Sequence, residues 1–231
     1  MKIKLFFIFI FFSSLVLGQD VIMEEETEKL YAESNFGANR KHFVHFYTGA
    51  GFYLPDKGDG FKYWNTNSFI AGVRYKLKLT DVFSTGLDIH YKKSNFRYDS
   101  ENQIIPDNQF FDKEQLIVHG VGPSYYLRIN FDSDRGNYVG NFVDVGVYMD
   151  WIFGSRYKIS DASGSNLFKE TETIYKNIKR LNDFEYGAML RMAKNKYVLF
   201  IHYRLSDLFD EKYNYVEHPR ATLGILVGFH N

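Results

Sequence analysis

The chain contains no cysteine, and only four of its 231 residues are proline. Without cysteine it can form no disulfide, no thiolate metal site and no lipid-modified cysteine. The scarcity of proline, together with 23 phenylalanines and 18 tyrosines, favours strands over disordered segments. The formal net charge is zero and gives no electrostatic reason to expect a nucleic-acid partner.

A long apolar run occurs at one place, close to the N-terminus. Lys2 and Lys4 precede the run from Leu5 to Val16, which is too short for a membrane-spanning helix and is typical of a secretory signal peptide. We expect residues 1–18 to be this signal peptide and the protein to be exported. Residues 19–41, which are acidic and then polar, are interpreted as a periplasmic leader.

From residue 42 onward the sequence follows a two-residue period, seen best between Ser68 and Lys92. In that stretch large apolar side chains alternate with charged residues and glycine, and Thr80-Asp81-Val82 interrupts the alternation. Because side chains on a strand point to opposite faces in turn, the stretch predicts a β-hairpin with one apolar and one polar face.

Eight such strands are expected between residues 42 and 231. They are separated alternately by short turns and by long polar loops, one of them at 159–178, which is typical of an eight-stranded antiparallel up-and-down transmembrane β-barrel. We therefore predict an all-β fold whose strands lie at about 43–54, 68–79, 83–98, 115–130, 141–157, 180–192, 197–206 and 221–229.

The period alone does not say which face of the barrel is inside. Glycines cluster on the charged face, where a narrow lumen would need them, and the apolar face supplies more large side chains than an eight-stranded interior can hold. The apolar face is therefore predicted to contact lipid, with aromatic residues at both membrane interfaces. The alternative is a soluble, lipocalin-like ligand-binding barrel with the two faces exchanged.

The last two strands carry a resemblance to a known family. The segments YRLSDLF (203–209) and LGILVGF (223–229) resemble outer-membrane β-barrel proteins of the Bacteroidota, the PorT-like group. The resemblance covers about 42–231 and implies residence in the outer membrane of a Gram-negative bacterium. It also implies an association with protein secretion, so that the expected partners are outer-membrane lipid and an envelope or secretion-system protein.

The residues offer little support for catalysis or for a cofactor. His202 and Ser206 share a face near Glu185, but four residues on a strand span roughly 13 Å, too far for a base and its nucleophile. The aspartates of PDKGDG and DSDRGN do not complete a calcium loop and fit turns better. We expect a non-enzymatic protein without a metal or cofactor, a lipid-modifying hydrolase being the alternative. A narrow channel is disfavoured because side chains fill an eight-stranded lumen.

Aromatic residues in the loops are the candidates for contact with a partner. They lie among polar residues, and the alternative is that they pack the loops together or touch lipid headgroups. The candidates are Phe61, Tyr63, Trp64, Tyr213 and Tyr215. Phe110 and Phe111, in the loop 99–113, are aromatic residues of the same kind.

Two turns predict charge pairs in the lumen. A three-residue connection at Thr80–Val82 sets Arg74 opposite Asp88, and a two-residue turn at 194–195 sets Glu185 opposite Arg204. Opposed side chains on neighbouring strands are close enough to form ion pairs. We expect both pairs to hold the strand register and fill the lumen, which is a structural role.

Overall fold

The computed structural model describes residues 34–55, 60–98, 113–132, 136–161, 171–213 and 217–230. The signal peptide assigned to residues 1–18 and most of the leader lie outside this part of the chain. The strands are β1 (His42–Tyr53), β2 (Asn67–Lys78), β3 (Phe83–Arg97), β4 (Lys113–Asn130), β5 (Asn141–Asp161), β6 (Thr171–Lys176), β7 (Phe184–Lys194), β8 (Tyr197–Arg204) and β9 (Ala221–Phe229).

Eight of these strands form a closed antiparallel barrel. Each pairs with its neighbours in the order β1, β2, β3, β4, β5, β7, β8 and β9, and β9 pairs again with β1. Closure leaves no exposed edge in the ring of eight strands. In the described part of the chain, no helix is long and apolar enough to cross a membrane.

Strand β6, which lies outside the ring of eight strands, corrects one expectation from the sequence. The segment predicted as the loop 159–178 contains β6. This strand pairs with Arg156–Asp161, the part of β5 that lies beyond its pairing with β7. All six residues of β6 are exposed. The alternation in TETIYK is too short and too polar to stand out in the sequence, and a long partner strand supplies its hydrogen bonds.

The connections divide the barrel into two ends. The links β2–β3, β4–β5 and β7–β8 lie at the end where β1 begins and β9 finishes, which we call the turn end. The links β1–β2, β3–β4, β5–β7 and β8–β9 lie at the opposite end, the loop end. Residues 34–41, the last part of the predicted leader, cover the turn end, where the side chain of Lys76 donates a hydrogen bond to the carbonyl of Ala38.

The register agrees with one predicted turn and contradicts the other. Across β2 and β3 Lys78 lies opposite Ser84, which is the register of a Thr80–Val82 connection. Across β7 and β8 Lys194 lies opposite Tyr197, so the two-residue turn is Asn195-Lys196 and the register differs by two residues from the predicted one. Asn195 has a φ of +55°, and asparagine tolerates this left-handed conformation better than lysine does.

β5 contains one irregularity, where its register with β4 shifts between His119 and Gly120. Pro123 cannot donate a hydrogen bond to the ladder, and the pairing of β4 with β5 omits Gly122 and Pro123 while keeping the same register on both sides of them. On the other side of β4 the register with β3 is unbroken, and Pro123 lies opposite Ile89. The register shift reverses the alternation of β5, so that Ser155 and Tyr157 are buried while Arg156 is exposed.

Side chains divide by polarity between the two surfaces of the barrel, with the apolar ones outside. We call the outward-facing side chains of the eight ring strands the apolar belt, from the turn-end edge at Tyr75, Tyr197 and Phe229 to the loop-end edge at Tyr91, Trp151 and Phe153. Its most exposed members include Ile89, Phe46, Val145, Val147, Leu127, Ile225, Leu87, Tyr186 and Phe184, each at least half exposed.

Candidate functional site

The lumen holds most of the buried charge and is the first candidate site. Its turn-end half contains an ionic layer formed by Arg74, Asp88, Arg128, Asp144 and Arg191, all at most 1% exposed. Arg74 donates to Asp88 through Nε at 3.0 Å and Nη2 at 3.3 Å. Arg128 donates to Asp144 in the same bidentate way at 2.7 and 3.0 Å. We call these five residues the lower ionic layer.

Arg191 joins the two bidentate pairs of this layer. Its Nη2 lies 2.6 Å from Asp88 Oδ2, and its Nη1 lies 3.9 Å from Asp144 Oδ2. The ring of Tyr126, which is fully buried, lies within 6 Å of all three guanidinium groups. Stacking of this kind suits arginine, whose planar cation is less strongly hydrated than an ammonium group.

A second set of charged and polar side chains lies closer to the loop end, beginning at His90, two residues after Asp88 on β3. We call His90, Lys92, Asp150 and Glu185 the upper ionic layer. The two carboxylates lie directly opposite each other on β5 and β7, an arrangement that is unfavourable without a cation. Lys92 supplies that cation: its Nζ lies 3.2 Å from Asp150 Oδ2 and also contacts Glu185 Oε1. His90 Nε2 lies 2.9 Å from Asp150 Oδ1.

Glycines in β4 allow side chains of β3 to reach carboxylates of β5 inside the barrel. Lys92 lies opposite Gly120 and His90 opposite Gly122. Neither glycine has a side chain to block the path to Asp150, and a Cβ on Gly122 would come 1.9 Å from the carbonyl oxygen of Met149. These two glycines of the charged face therefore let the side chains of a lysine and a histidine pass over β4.

Two hydrophobic clusters accompany the charged residues of the lumen, one beside the lower ionic layer and one at the loop end. The lower cluster packs against the lower ionic layer, where the ring of Phe142 lies 3.4 Å from the guanidinium of Arg128 and Phe200 lies opposite Arg191. It comprises Ala38, Tyr47, Ile70, Val139, Phe142, Val198, Phe200 and Leu226. The loop-end cluster comprises Tyr53, Phe61, Phe96, Tyr98, Leu116, Val118, Tyr157, Ile159, Leu181, Leu208 and Phe209. His218 lies among its rings, with centroids 4.7 Å from Phe96 and 4.9 Å from Phe61 and Phe209.

One buried carboxylate of the loop end has a phenol as its partner. Glu114 is 6% exposed and accepts a hydrogen bond from the hydroxyl of Tyr157. Burial raises the pKa of Glu114 above its usual range, and this hydrogen bond opposes the rise only in part. Within the described ranges no lysine or arginine forms an ion pair with it, which sets Glu114 apart from the carboxylates of the two ionic layers.

The predicted pair Glu185–Arg204 is not formed. The shifted register sets Arg204 opposite Gly187, while Glu185 faces Asp150 and binds Lys92. Arg204 instead holds the β8–β9 loop: it lies 2.7 Å from Glu217 and donates to the carbonyls of Ser206 and His218. All four predicted charged residues face the lumen and are buried, and their effect on stability stays a prediction.

Sequence reasoning missed Arg128, Asp144 and Arg191. The two-residue period places all three on the charged face, so their orientation toward the lumen could be predicted. The ten-residue connection between β4 and β5 hid the register that sets Arg128 opposite Asp144. Asp144 also lies opposite Arg191, a register that depends on how the chain returns after β6.

The residues considered for catalysis serve different contacts. Ser206 Oγ accepts a hydrogen bond from the backbone of Tyr186 at 3.2 Å. The ring of His202 stacks on Tyr148 with 5.1 Å between centroids. Asp132, considered as a calcium ligand, accepts a hydrogen bond from the backbone of Asn141 at 2.7 Å, as expected for a turn. Among the residues that the structure describes, no cluster of three potential metal ligands occurs.

The candidate contact residues of the loops divide by exposure. Phe61 is only 7% exposed and belongs to the loop-end cluster, so its assignment as a partner contact is wrong. Tyr63 packs against that cluster. Trp64 is 92% exposed and remains available. The side chains of Tyr213 and Tyr215, like Phe110 and Phe111, lie outside the described residues.

Comparison with known proteins gives structural similarity alone. No family model matches the chain, and no curated protein matches its sequence. A solved structure that is similar is Ail, the attachment invasion locus protein of Yersinia pestis, at 12% identity and a TM-score of 0.34, covering 81% of this chain and 95% of that one. A second is Ail in complex with the heparin analogue sucrose octasulfate, at 11% identity and a TM-score of 0.33, covering 80% and 94%.

Proposed function

We propose that the protein is a non-enzymatic barrel of the bacterial outer membrane that acts by contact at its loop end, as an envelope or secretion-accessory component. One observation carries the membrane location, which is the inverted polarity of the barrel. Charged side chains are buried inside it and apolar ones are exposed outside. This arrangement is stable where the surrounding solvent is hydrocarbon, and a soluble lipocalin-like barrel requires the reverse.

The apolar belt has the properties expected of a lipid-facing surface. Among the described residues, no charged side chain points outward from the ring strands between the two aromatic edges. Soluble proteins rarely expose contiguous apolar patches larger than a few hundred Å², whereas this surface encircles the molecule. Aromatic side chains at both edges, such as Tyr197 and Trp151, suit the boundary between lipid and water.

A structural role for the lumen supports contact as the mode of action. The two ionic layers and the two hydrophobic clusters occupy the lumen, and eight strands leave room for little more than side chains. The geometry of Ser206 and His202 gives no support to a lipid-modifying hydrolase, since each is held by a different neighbour. The secretion-accessory role rests on the resemblance to the PorT-like group.

Reconstitution tests the membrane location. The refolded full chain is expected to insert into phosphatidylcholine vesicles, to resist protease in the barrel region, and to run at different gel positions before and after boiling. Planar-bilayer recordings are expected to show no stepwise conductance above that of protein-free membranes. Recovery of a folded, water-soluble protein that does not partition into vesicles would contradict the proposal, and a stable open conductance would favour a channel.

Site-specific crosslinking tests the contact role. A photoreactive amino acid at Trp64, the exposed aromatic of the first loop, is expected to capture an envelope protein in intact cells. The same probe at Tyr197, on the apolar belt at the turn end, is the matched control and is expected to capture lipid alone. Equal protein capture at the two positions, or none at Trp64 or elsewhere in the loops, would contradict the proposed mode of action.

A further inference from the structure

Four basic side chains form a row on the outer wall just beyond the loop-end edge of the apolar belt. Lys93 of β3 lies opposite His119 of β4, and Arg156 of β5 lies opposite Lys176 of β6. His119 and Arg156 are diagonal neighbours across β4 and β5, since Arg156 faces Ile117 and Gly154 faces His119. We call Lys93, His119, Arg156 and Lys176 the basic rim.

The basic rim lies at the height where headgroups would meet the barrel. Tyr91, at the loop-end edge of the belt, is two residues before Lys93, which corresponds to about 7 Å along a strand. Its hydroxyl is 2.7 Å from His119 Nδ1, and the ring of Phe153 is 6.2 Å from that of His119. The positive charges therefore follow directly on the aromatic edge, with no intervening polar layer.

Charge in the basic rim is not neutralised by the protein. Lys93, Arg156 and Lys176 are exposed, and among the described residues no carboxylate forms an ion pair with any of them. Lys158, one outward position beyond Arg156, differs because it binds Glu172. The pKa of His119 is lowered by partial burial and then by the charges of Lys93 and Arg156, which is consistent with the proximity of these cations to the imidazole.

The wall between these side chains has room for a ligand. A Cβ on Gly154, the residue opposite His119, would meet no atom within 4 Å. Gly154 also borders a cleft of about 210 Å³, where β5 parts from the chain leading into β7. The cleft is lined by residues 152–155, 177–179 and 181–183. Asn177 and Lys179 offer polar groups there, and Asp183 is the acidic residue of the lining.

We propose that the basic rim binds anionic, phosphate-bearing headgroups of the lipid leaflet at the loop end of the barrel. This inference rests on the proposed membrane location. Phosphate oxygens accept charge-assisted hydrogen bonds from Lys93, Arg156 and Lys176, while the acyl chains lie against Tyr91, Phe153 and the belt below. Each basic residue close to an anionic membrane surface contributes attraction of a size that a binding titration can resolve.

A lipid titration in detergent tests the proposal without requiring insertion into a membrane. The refolded full chain, with its barrel fold checked by gel mobility, is titrated with lipid A and with phosphatidylcholine, and bound lipid is counted by native mass spectrometry. Lipid A is expected to bind more tightly. The triple variant Lys93→Gln/Arg156→Gln/Lys176→Gln is expected to lose roughly ten- to hundredfold in that affinity, with phosphatidylcholine binding unchanged.

A matched variant removes the same charge from the opposite end. Lys41→Gln/Lys194→Gln/Lys196→Gln alters exposed side chains beside the turn-end edge of the belt and is expected to keep the lipid A affinity of the unchanged protein. An equal loss in the two triple variants would overturn the proposal, because net charge and not the basic rim would then decide binding. Full competition by inorganic phosphate would also overturn it in favour of a free-anion site.

His119 reports occupancy independently of affinity. An adjacent phosphate favours the imidazolium form and raises the pKa of the ring, so an NMR titration of His119 is expected to give a higher pKa with saturating lipid A than with phosphatidylcholine. Tyr91, Lys93, Phe153 and Arg156 face this ring in both samples. An unchanged His119 pKa under saturating lipid A would place the lipid elsewhere and overturn the assignment, while failure of vesicle insertion alone would count against the proposed function.

Discussion

The two ionic layers of the lumen obtain their counter-charges in different ways. In the lower layer each carboxylate lies directly opposite an arginine on a neighbouring strand, as Asp88 does with Arg74. In the upper layer two carboxylates oppose each other, and Lys92 reaches them from β3 across the glycines of β4. One layer is thus assembled from adjacent strands, and the other depends on a residue from across the lumen.

This difference predicts which layer is more fragile. The lower layer has three arginines for two aspartates, so each carboxylate keeps a cation when Arg191 is lost. The upper layer has one lysine for two carboxylates, so the loss of Lys92 leaves buried negative charges in contact. Removing one partner from a buried ionic group is more costly than removing the whole group.

The largest effect is expected for Lys92→Met. Asp150 and Glu185 would lose their shared cation, and the free energy of unfolding should fall by about 3–5 kcal/mol. Urea unfolding in detergent micelles, followed by tryptophan fluorescence, measures this change. Lys158→Met is the control, because its ion pair with Glu172 is solvent-exposed and should contribute at most about 1 kcal/mol. Equal losses in the two variants would contradict the proposed role of Lys92, and adding Glu185→Gln should restore part of the loss.

The next effect concerns the pair Arg74–Asp88 and is measured by a double-mutant cycle. Asp88→Ala leaves Arg74 without its carboxylate and Arg191 with Asp144 alone, at 3.9 Å, and a loss of about 3 kcal/mol is expected. Arg74→Ala should cost less, because Arg191 still contacts Asp88. The double variant is expected to lose less than the sum of the single ones, since it leaves no unpaired charge from this pair. Additive losses would mean that the two side chains are not coupled.

Glycine substitutions in β4 test the route by which Lys92 and His90 reach Asp150. Gly122→Ala forces a Cβ to within 1.9 Å of a backbone oxygen and is expected to cost about 1–3 kcal/mol. Gly120→Ala is the matched variant, since its Cβ would lie 3.3 Å from that of Asp150 and requires only a small shift. Unfolding in urea should rank the two variants in this order, and a larger loss for Gly120→Ala would contradict the described path.

A smaller effect is expected when Arg191 is replaced. Arg191→Met removes the bridge but leaves the two bidentate pairs in place, and it also removes two buried donor atoms, Nε and Nη1, that have no hydrogen-bond partner among the described residues. The free energy of unfolding should therefore change by less than about 1 kcal/mol. A loss as large as that of Lys92→Met would contradict the contrast between the two layers.

The smallest expected effect is a pH dependence of the free energy of unfolding that arises from Glu114. The carboxylates of the two ionic layers each lie beside a cation, whereas Glu114 is buried beside the hydroxyl of Tyr157. The pKa of Glu114 is higher in the folded chain than the ordinary value of 4.5, so the folded state holds the proton more tightly. The free energy of unfolding should therefore fall as the pH rises through the interval between the unfolded and folded pKa values.

Comparison with Glu114→Gln isolates this contribution. The variant retains a carbonyl oxygen that can accept the hydrogen bond from Tyr157 but has no titratable proton. Relative to the unchanged protein its stability should improve as the pH rises from below 4.5 to neutrality. A stability difference that does not vary with pH, measured by urea unfolding at the two pH values, would show that Glu114 does not titrate in this interval.

The strand period, the polarity of the two faces and one hairpin register can be predicted from the amino-acid sequence alone. These features are local: alternation is a property of consecutive residues, and the Thr80–Val82 connection sets the pairing of the strands beside it. Tertiary structure alone decided the partners of Arg191, Lys92 and Arg204. Their contacts depend on closure of the ring, on the residues of the Asn195-Lys196 turn and on the glycines that open β4. Arg191 and Lys92 reach carboxylates on strands distant in the sequence, and Arg204 holds a loop, so no single hairpin determines these partners.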